Sequence, residues 1–211
     1  MIVKVCGMTD GRNVRQVEDA GTEWMGFIFY PLSPRFVSRM PDYPPERAKR
    51  VGVFVNASAE DIASAVRRWK LDLVQLHGKE SPAQCRDVRT LGVKIVKAFA
   101  IKSREDLAKV SGYAKACDCF LFDTPCAEYG GSGRRFDWSL LEAYRGDTPF
   151  LLSGGLNPES LGALSEFSHP QWAGIDLNSG FELKPGIKDA EAVGRFIRAF
   201  RQLRKTPPHS G

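Results

Sequence analysis

The sequence predicts an α/β protein: a single (β/α)8 or TIM barrel, with a parallel eight-stranded core and outer helices. Three observations predict it. Eight short apolar runs recur along the chain, Ile2–Cys6, Trp24–Tyr30, Val51–Asn56, Leu71–His77, Val93–Phe99, Cys119–Asp123, Phe150–Ser153 and Trp172–Asn178. Their spacing is roughly 24 residues, room for a strand, a helix and two short loops. Several runs are almost continuous in apolar residues and rich in Val, Ile and Phe, as parallel strands covered on both faces require. The length of 211 residues lies near the short end for such barrels, roughly 200 residues upward. An open doubly wound sheet usually has fewer strands, and no G-x-G-x-x-G follows the first run. The barrel is expected over residues 1–204. A flexible C-terminal tail is expected over 205–211, which reads Lys-Thr-Pro-Pro-His-Ser-Gly.

Helix signals lie between the runs. Asp10 can cap a helix that carries Val14 and Val17 and stops near Gly21. A fainter helical pattern spans Pro44–Arg50, between the second and third runs. Ser58 precedes the stripe Ile62, Val66 and Trp69, with Asp61 at the third helical position. Ser81-Pro82 and Asn157-Pro158 each read as an N-cap followed by proline at N1, where the missing N–H costs nothing. Val193, Phe196, Ile197 and Phe200 form the apolar stripe of a closing helix.

Composition narrows the function classes. Hydrophobic residues make up 43% and charged residues 26%, which excludes disordered, collagenous and disulfide-scaffold chains. No window approaches the ~20 apolar residues of a membrane-spanning helix, so no membrane partner is expected. Met1-Ile2-Val3-Lys4 runs straight into a strand rather than into a leader. Five cysteines, at 6, 85, 117, 119 and 126, are odd in number and lack a framework spacing, which points to a reducing cytoplasm. The net charge of +5 is spread along the chain. That suits a small anionic substrate and not a nucleic acid, which calls for a clustered basic face. Polar helix faces and the basic tail favour a monomer.

Active sites of such barrels lie at the C-terminal ends of the strands, so the residues ending each run are the candidates. Alternation puts Cys6 on the face opposite Val3 and Val5, towards the barrel mouth; a small buried hydrophobe is the alternative role. Arg35, fixed after Pro34 on the loop beyond the second run, can clamp a carboxylate with both arms of its fork. Gln75 and His77 share an inward face, and His77 is the one histidine of three so placed. Asp123 lies on the Leu121 face and reaches the mouth if that face looks inward; a helix-capping or salt-bridging aspartate is its alternative role. His77 has no second ligand at metal spacing and Cys117 and Cys119 have no matching pair, so no metal is expected. Gly154-Gly155 and Ser179-Gly180 follow the seventh and eighth runs, where barrels frequently bind phosphate through exposed N–H groups. Gly131, Ser132 and Gly133 fall in a long segment, Thr124 to Phe136, that reads as a lid.

Together these strings resemble the phosphoribosylanthranilate isomerases, barrel enzymes of tryptophan biosynthesis. The resemblance rests on Lys-Val-Cys-Gly-Met-Thr at 4–9, Gly-Phe-Ile-Phe at 26–29 with Ser33-Pro34-Arg35, and Val-Phe-Val-Asn at 53–56. It continues through Gln-Leu-His-Gly at 75–78, Phe122-Asp123, Gly-Gly-Ser-Gly at 130–133 with Phe136-Asp137-Trp138, Ser-Gly-Gly-Leu at 153–156, Gly174 to Glu182, and Pro-Gly-Ile-Lys-Asp at 185–189.

It implies an Amadori rearrangement of a small phosphorylated substrate, without cofactor or metal. By resemblance Asp123 is the general acid, Cys6 the general base, and Arg35 the partner of the substrate carboxylate. The Gly154-Gly155 and Ser179-Gly180 loops match the phosphate site, and His77 and Asp176 complete the expected substrate-contacting set. A free thiol titrates near ~8.5 and a free aspartic acid near ~3.9. The site is therefore expected to lower the first, helped by Lys4, and to raise the second, helped by Asp176. Two stretches depart from the family pattern: Asn178, where two serines and a valine are more usual nearby, and the segment around Cys126. Rival barrels fit less well. An indole-glycerol-phosphate synthase calls for a catalytic lysine and a longer N-terminus, and a ribulose-phosphate epimerase for metal-ligating histidines and aspartates. A phosphosugar-binding module without catalysis is disfavoured by intact Cys6 and Asp123.

Overall fold

The structure, a computed structural model, describes residues 1–123 and 138–203. Eight parallel strands close into a barrel in chain order: β1 (Ile2–Cys6), β2 (Trp24–Ile28), β3 (Lys49–Phe54), β4 (Leu73–Leu76), β5 (Lys94–Ala100), β6 (Cys119–Asp123), β7 (Phe150–Ser153) and β8 (Trp172–Leu177). β8 returns to pair with β1, with Lys4 in register with Asp176. A short antiparallel pair, β9 (Glu182–Lys184) and β10 (Ile187–Lys188), follows β8. Each predicted run overlaps its strand, and β1, β6 and β7 match end for end.

Alternation along the strands builds two cores. Val3 and Val5 face outward and pack in the layer that also buries Val14 and Val17. Val51, Leu73, Val96, Ala98, Cys119, Leu121 and Leu151 fill the barrel interior, with Ile2, Trp24 and Ala173 packed against them. The interior is thus plugged with side chains, and chemistry is left to the mouth.

The helices start where their caps place them. α1 (Gly11–Asp19) begins after Asp10, whose carboxylate accepts the Asn13 N–H at 2.8 Å. α2 (Ala59–Trp69) follows Ser58, and α3 (Pro82–Arg89) carries a full capping box between Ser81 and Gln84. α4 (Arg104–Val110) is followed by a 3₁₀ turn, and α5 (Leu161–Glu166) is preceded by the 3₁₀ turn Pro158–Ser160, capped by Asn157. α6 (Ala190–Leu203) buries Val193, Phe196, Ile197 and Phe200 against the barrel.

Pro44–Arg50 forms no helix, against expectation. Pro44-Pro45 biases the residue before each proline away from helical backbone. The N–H groups of Glu46, Arg47 and Ala48 donate instead to the Glu18 carboxylate of α1, at 3.0, 2.7 and 2.7 Å. Lys49 and Arg50 already belong to β3. No helix of the described residues is long and apolar enough to cross a membrane. The expected lid residues Gly131, Ser132 and Gly133, Cys126, and the tail at 205–211 lie outside the described residues.

Candidate active site

A cavity of about 400 Å³ opens at the C-terminal mouth of the barrel. Cys6 from β1, Gln75 and His77 from the end of β4, Asp123 from β6 and Asp176 from β8 line it. Gly154 and Gly155 after β7 and Ser179 after β8 close another part of its wall. Seven expected site residues therefore meet in one cavity. Arg35 and Gly180 are not in the lining. Ile28, Tyr30, Val53 and Val55 are, although sequence reasoning assigned them no role. Their available signal was position, at the ends of the second and third runs.

Cys6 is 4% exposed and sits in register with Gly26. A Cβ at residue 26 would stand 2.6 Å from the Cys6 sulfur, so glycine there leaves the thiol its space. Lys4, fully buried, donates to Asp176 Oδ1 at 2.8 Å and lies beside the thiol. Burial on its own disfavours the Lys4 cation, but Asp176 and Cys6 outweigh it and push the group above 10.5. The expected lowering of the Cys6 pKa does not occur. Burial pushes the thiol above its ordinary 9.0; Lys4 pulls it back only in part, and the Asp176 carboxylate adds to the rise.

Asp123 and His77 face each other, with 3.8 Å between Asp123 Oδ2 and His77 Nε2. Both side chains are a little over a third exposed, and both line the cavity. Loss of surrounding water raises the Asp123 pKa above 3.8, as expected; His77 opposes the rise and Asp176 adds to it. The same desolvation lowers the His77 pKa below 6.5 despite the attraction of Asp123. His77 Nδ1 lies 2.8 Å from Gln75 Nε2.

Arg35 grips a carboxylate, but one of the protein's own. Its Nε and Nη2 donate to Glu182 Oε1 and Oε2 at 2.8 and 2.6 Å. Lys188 Nζ reaches the same Glu182 at 2.6 Å and Asn178 Oδ1 at 2.7 Å. Burial pushes Glu182 upward, but the bonds from Arg35 and Lys188 win and hold its carboxyl at about 2. Sequence reasoning gave Glu182 and Lys188 no role, since Arg35 and Glu182 are 147 residues apart and no local spacing links them.

Gly154 and Gly155 take φ values of +97° and +61°, a left-handed turn that favours glycine. The N–H groups of Gly154, Gly155, Ser179 and Gly180 donate to no other backbone group among the described residues. Gly180 packs behind the cavity wall against the Leu156 carbonyl. No cluster of three or more His, Cys, Asp or Glu able to hold a metal occurs among the described residues.

Comparison with known proteins identifies the family. The family model of N-(5'-phosphoribosyl)anthranilate (PRA) isomerase matches residues 3–199. The N-(5'-phosphoribosyl)anthranilate isomerase of Phocaeicola vulgatus is 54% identical over 202 residues, covering 96% of this chain and 98% of the relative. The structure of phosphoribosyl anthranilate isomerase from Thermotoga maritima superposes with a TM-score of 0.80 at 34% identity, covering 96% of this chain and 100% of that one. A phosphoribosyl anthranilate isomerase in complex with reduced 1-(o-carboxyphenylamino)-1-deoxyribulose 5-phosphate superposes at 0.79 and 30% identity, with the same coverage. This chain belongs to the N-(5'-phosphoribosyl)anthranilate isomerase family.

Proposed function

We propose that the chain converts N-(5-phospho-β-D-ribosyl)anthranilate to 1-(2-carboxyphenylamino)-1-deoxyribulose 5-phosphate, with Asp123 as acid and Cys6 as base. The carrying observation is that the thiol and the carboxyl line one cavity from strands on different sides of the barrel. Asp123 gives its proton to the furanose ring oxygen as the C1–O bond breaks, and the anthranilate nitrogen supplies the pair that forms a Schiff base. Cys6, as thiolate, then takes the C2 proton. The resulting enolamine tautomerises to the ketone as C1 gains a proton, so the reaction is a redox-neutral isomerisation with no external oxidant.

The two ends of the substrate fix its orientation. The loops carrying Gly154, Gly155, Ser179 and Gly180 supply N–H groups for the phosphate, a role supported by their free donors. Arg35 supplies the fork for the anthranilate carboxylate, which takes over the place now held by Glu182. His77 and Asp176 contact the sugar region between these ends. The buried thiols at 6, 85, 117 and 119 support a cytoplasmic setting. The protein acts as a monomer in this reading, which is supported by outer helices that turn their apolar side chains, such as Ile62 and Trp69 of α2 and Val193, Phe196, Ile197 and Phe200 of α6, into its own core. Size-exclusion chromatography with light scattering giving twice 23.4 kDa would refute the monomer.

Rescue of a tryptophan auxotroph lacking this step tests the activity. Wild type is expected to restore growth and Cys6→Ala to fail at equal protein level. Absence of rescue by folded wild type would refute the assignment.

A further inference from the structure

Gln75 occupies a position that packing alone does not explain. It is 1% exposed, on β4, between register partners Val53 and Val96. Its Oε1 is buried without a hydrogen-bond partner among the described residues. An apolar side chain of similar volume would fill the position and leave no orphaned acceptor. The other end of the amide is engaged, with Nε2 at 2.8 Å from His77 Nδ1. An amide N–H donates, so Nδ1 is the acceptor and the neutral ring carries its proton on Nε2, the nitrogen that faces Asp123 at 3.8 Å.

The turn that carries His77 is held rigidly. Its N–H donates to Phe54 O at 2.8 Å. Lys97 Nζ donates to the carbonyls on either side of it, Leu76 at 3.1 Å and Gly78 at 2.9 Å. The charged groups that act on the imidazole are Asp123 on β6, Lys4 on β1, Asp176 on β8 and Lys97 on β5. The bond to a ring nitrogen comes from Gln75.

We propose that Gln75 is a positioning residue that fixes His77 as the Nε2–H tautomer, so that His77 presents a neutral hydrogen-bond donor to Asp123. The inference rests on the reading of Asp123 as general acid. When the Asp123 O–H bond breaks and its proton passes to the ring oxygen, a carboxylate is left. His77 then stabilises that carboxylate with its Nε2–H and keeps its own proton. The 3.8 Å separation shortens in the loaded site, as catalytic hydrogen bonds commonly do.

The first test is the tautomer of the free, full-length wild type, read from two-bond ¹H–¹⁵N correlations of labelled histidines, with the His77 signals identified by their loss in His77→Gln. A proton on Nε2 is expected. A proton on Nδ1, as the opposite orientation of the Gln75 amide would give, overturns the proposal. The second test is kinetic. Gln75→Met is expected to keep or raise Tm while kcat falls ~10–100-fold, the usual cost of losing an orienting partner, with KM within about twofold. Gln75→Glu, a carboxylate facing Nδ1, is expected to turn His77 into an imidazolium and to move the acid limb of kcat/KM to lower pH. A folded Gln75→Met with wild-type kcat overturns the proposal; if that variant does not fold, the wild-type tautomer decides alone. Asp123→Asn separates the two levels. If it keeps wild-type kcat, the general-acid reading falls and this inference with it. If it is inactive while Gln75→Met is fully active, only the role of Gln75 falls.

Discussion

Burial acts on Cys6 and Asp123 in the same direction, and the two groups use the result differently. A raised carboxyl pKa helps Asp123 keep the proton that the proposed mechanism has it donate. A raised thiol pKa works against Cys6, whose proposed task requires the thiolate. Lys4 does most to limit this penalty, with Lys188 adding to it: Lys4 is held cationic by Asp176 and placed beside the sulfur. Cys6, His77 and Asp123 were legible in the sequence, because period-two alternation in a buried strand fixes which residues face the interior and the barrel fixes which end reacts. The direction of the Cys6 shift was not, because it is a balance between burial and three charges from β1, β8 and β10. Arg35 illustrates the same limit. Its fork was legible as a carboxylate clamp, but the partner it now holds, Glu182, could not be read. Arg35→Lys keeps the charge and loses the bidentate geometry. It is expected to raise KM about tenfold or more, equivalent to ~1.4 kcal/mol, with a smaller change in kcat; steady-state kinetics check the split.

At the scale of elements, two ion-pair clusters hold the mouth in shape. Lys97 and Glu80 are both 3% exposed and 3.3 Å apart. Glu80 accepts the N–H groups of Asn56 and Gly78, while Lys97 takes the carbonyls of Leu76 and Gly78. Together they tie the ends of β3, β4 and β5 around His77. Lys97→Met leaves Glu80 buried and uncompensated, and is expected to cost about 3–5 kcal/mol in urea unfolding. The second cluster ties β9 and β10 to Arg35 through Glu182. Its folded carboxyl lies at about 2, against 4.5 ordinarily. A lowered folded pKa gives stability that is fully present above the unfolded value and is lost as pH falls. Tm is therefore expected to drop between about pH 4.5 and 2, and Glu182→Gln is expected to flatten that part of the curve. The element misread from sequence has an equally local cause: Pro44-Pro45 discourages a helix, and Glu18 offers the following N–H groups a better acceptor.

For the molecule as a whole, the closed ring of strands was the most legible feature. Eight apolar runs at even spacing admit few other closed solutions, and each run coincides with or overlaps its strand. Closure then does what no single element can: it brings residue 6 and residue 123 to one cavity, although neither hints at the other in sequence. The closing of β8 on β1 also sets Lys4 against Asp176, so the topology itself delivers the cation beside the proposed base. The central claim is that Cys6 and Asp123 are base and acid of one reaction. The most direct measurement is the pH profile of kcat/KM for wild type, Cys6→Ala and Asp123→Asn. Wild type is expected to give a bell, its acid limb set by the Asp123–His77 pair and its basic limb by the thiol above 9.0. With the base removed, the residual rate of Cys6→Ala should follow the protonated carboxyl and fall as pH rises. With the acid removed, that of Asp123→Asn should follow the thiolate and climb with pH. Each variant should also lose roughly 10²–10⁴-fold in rate near neutrality. Two variants that keep the wild-type bell, limb for limb, would contradict the assignment.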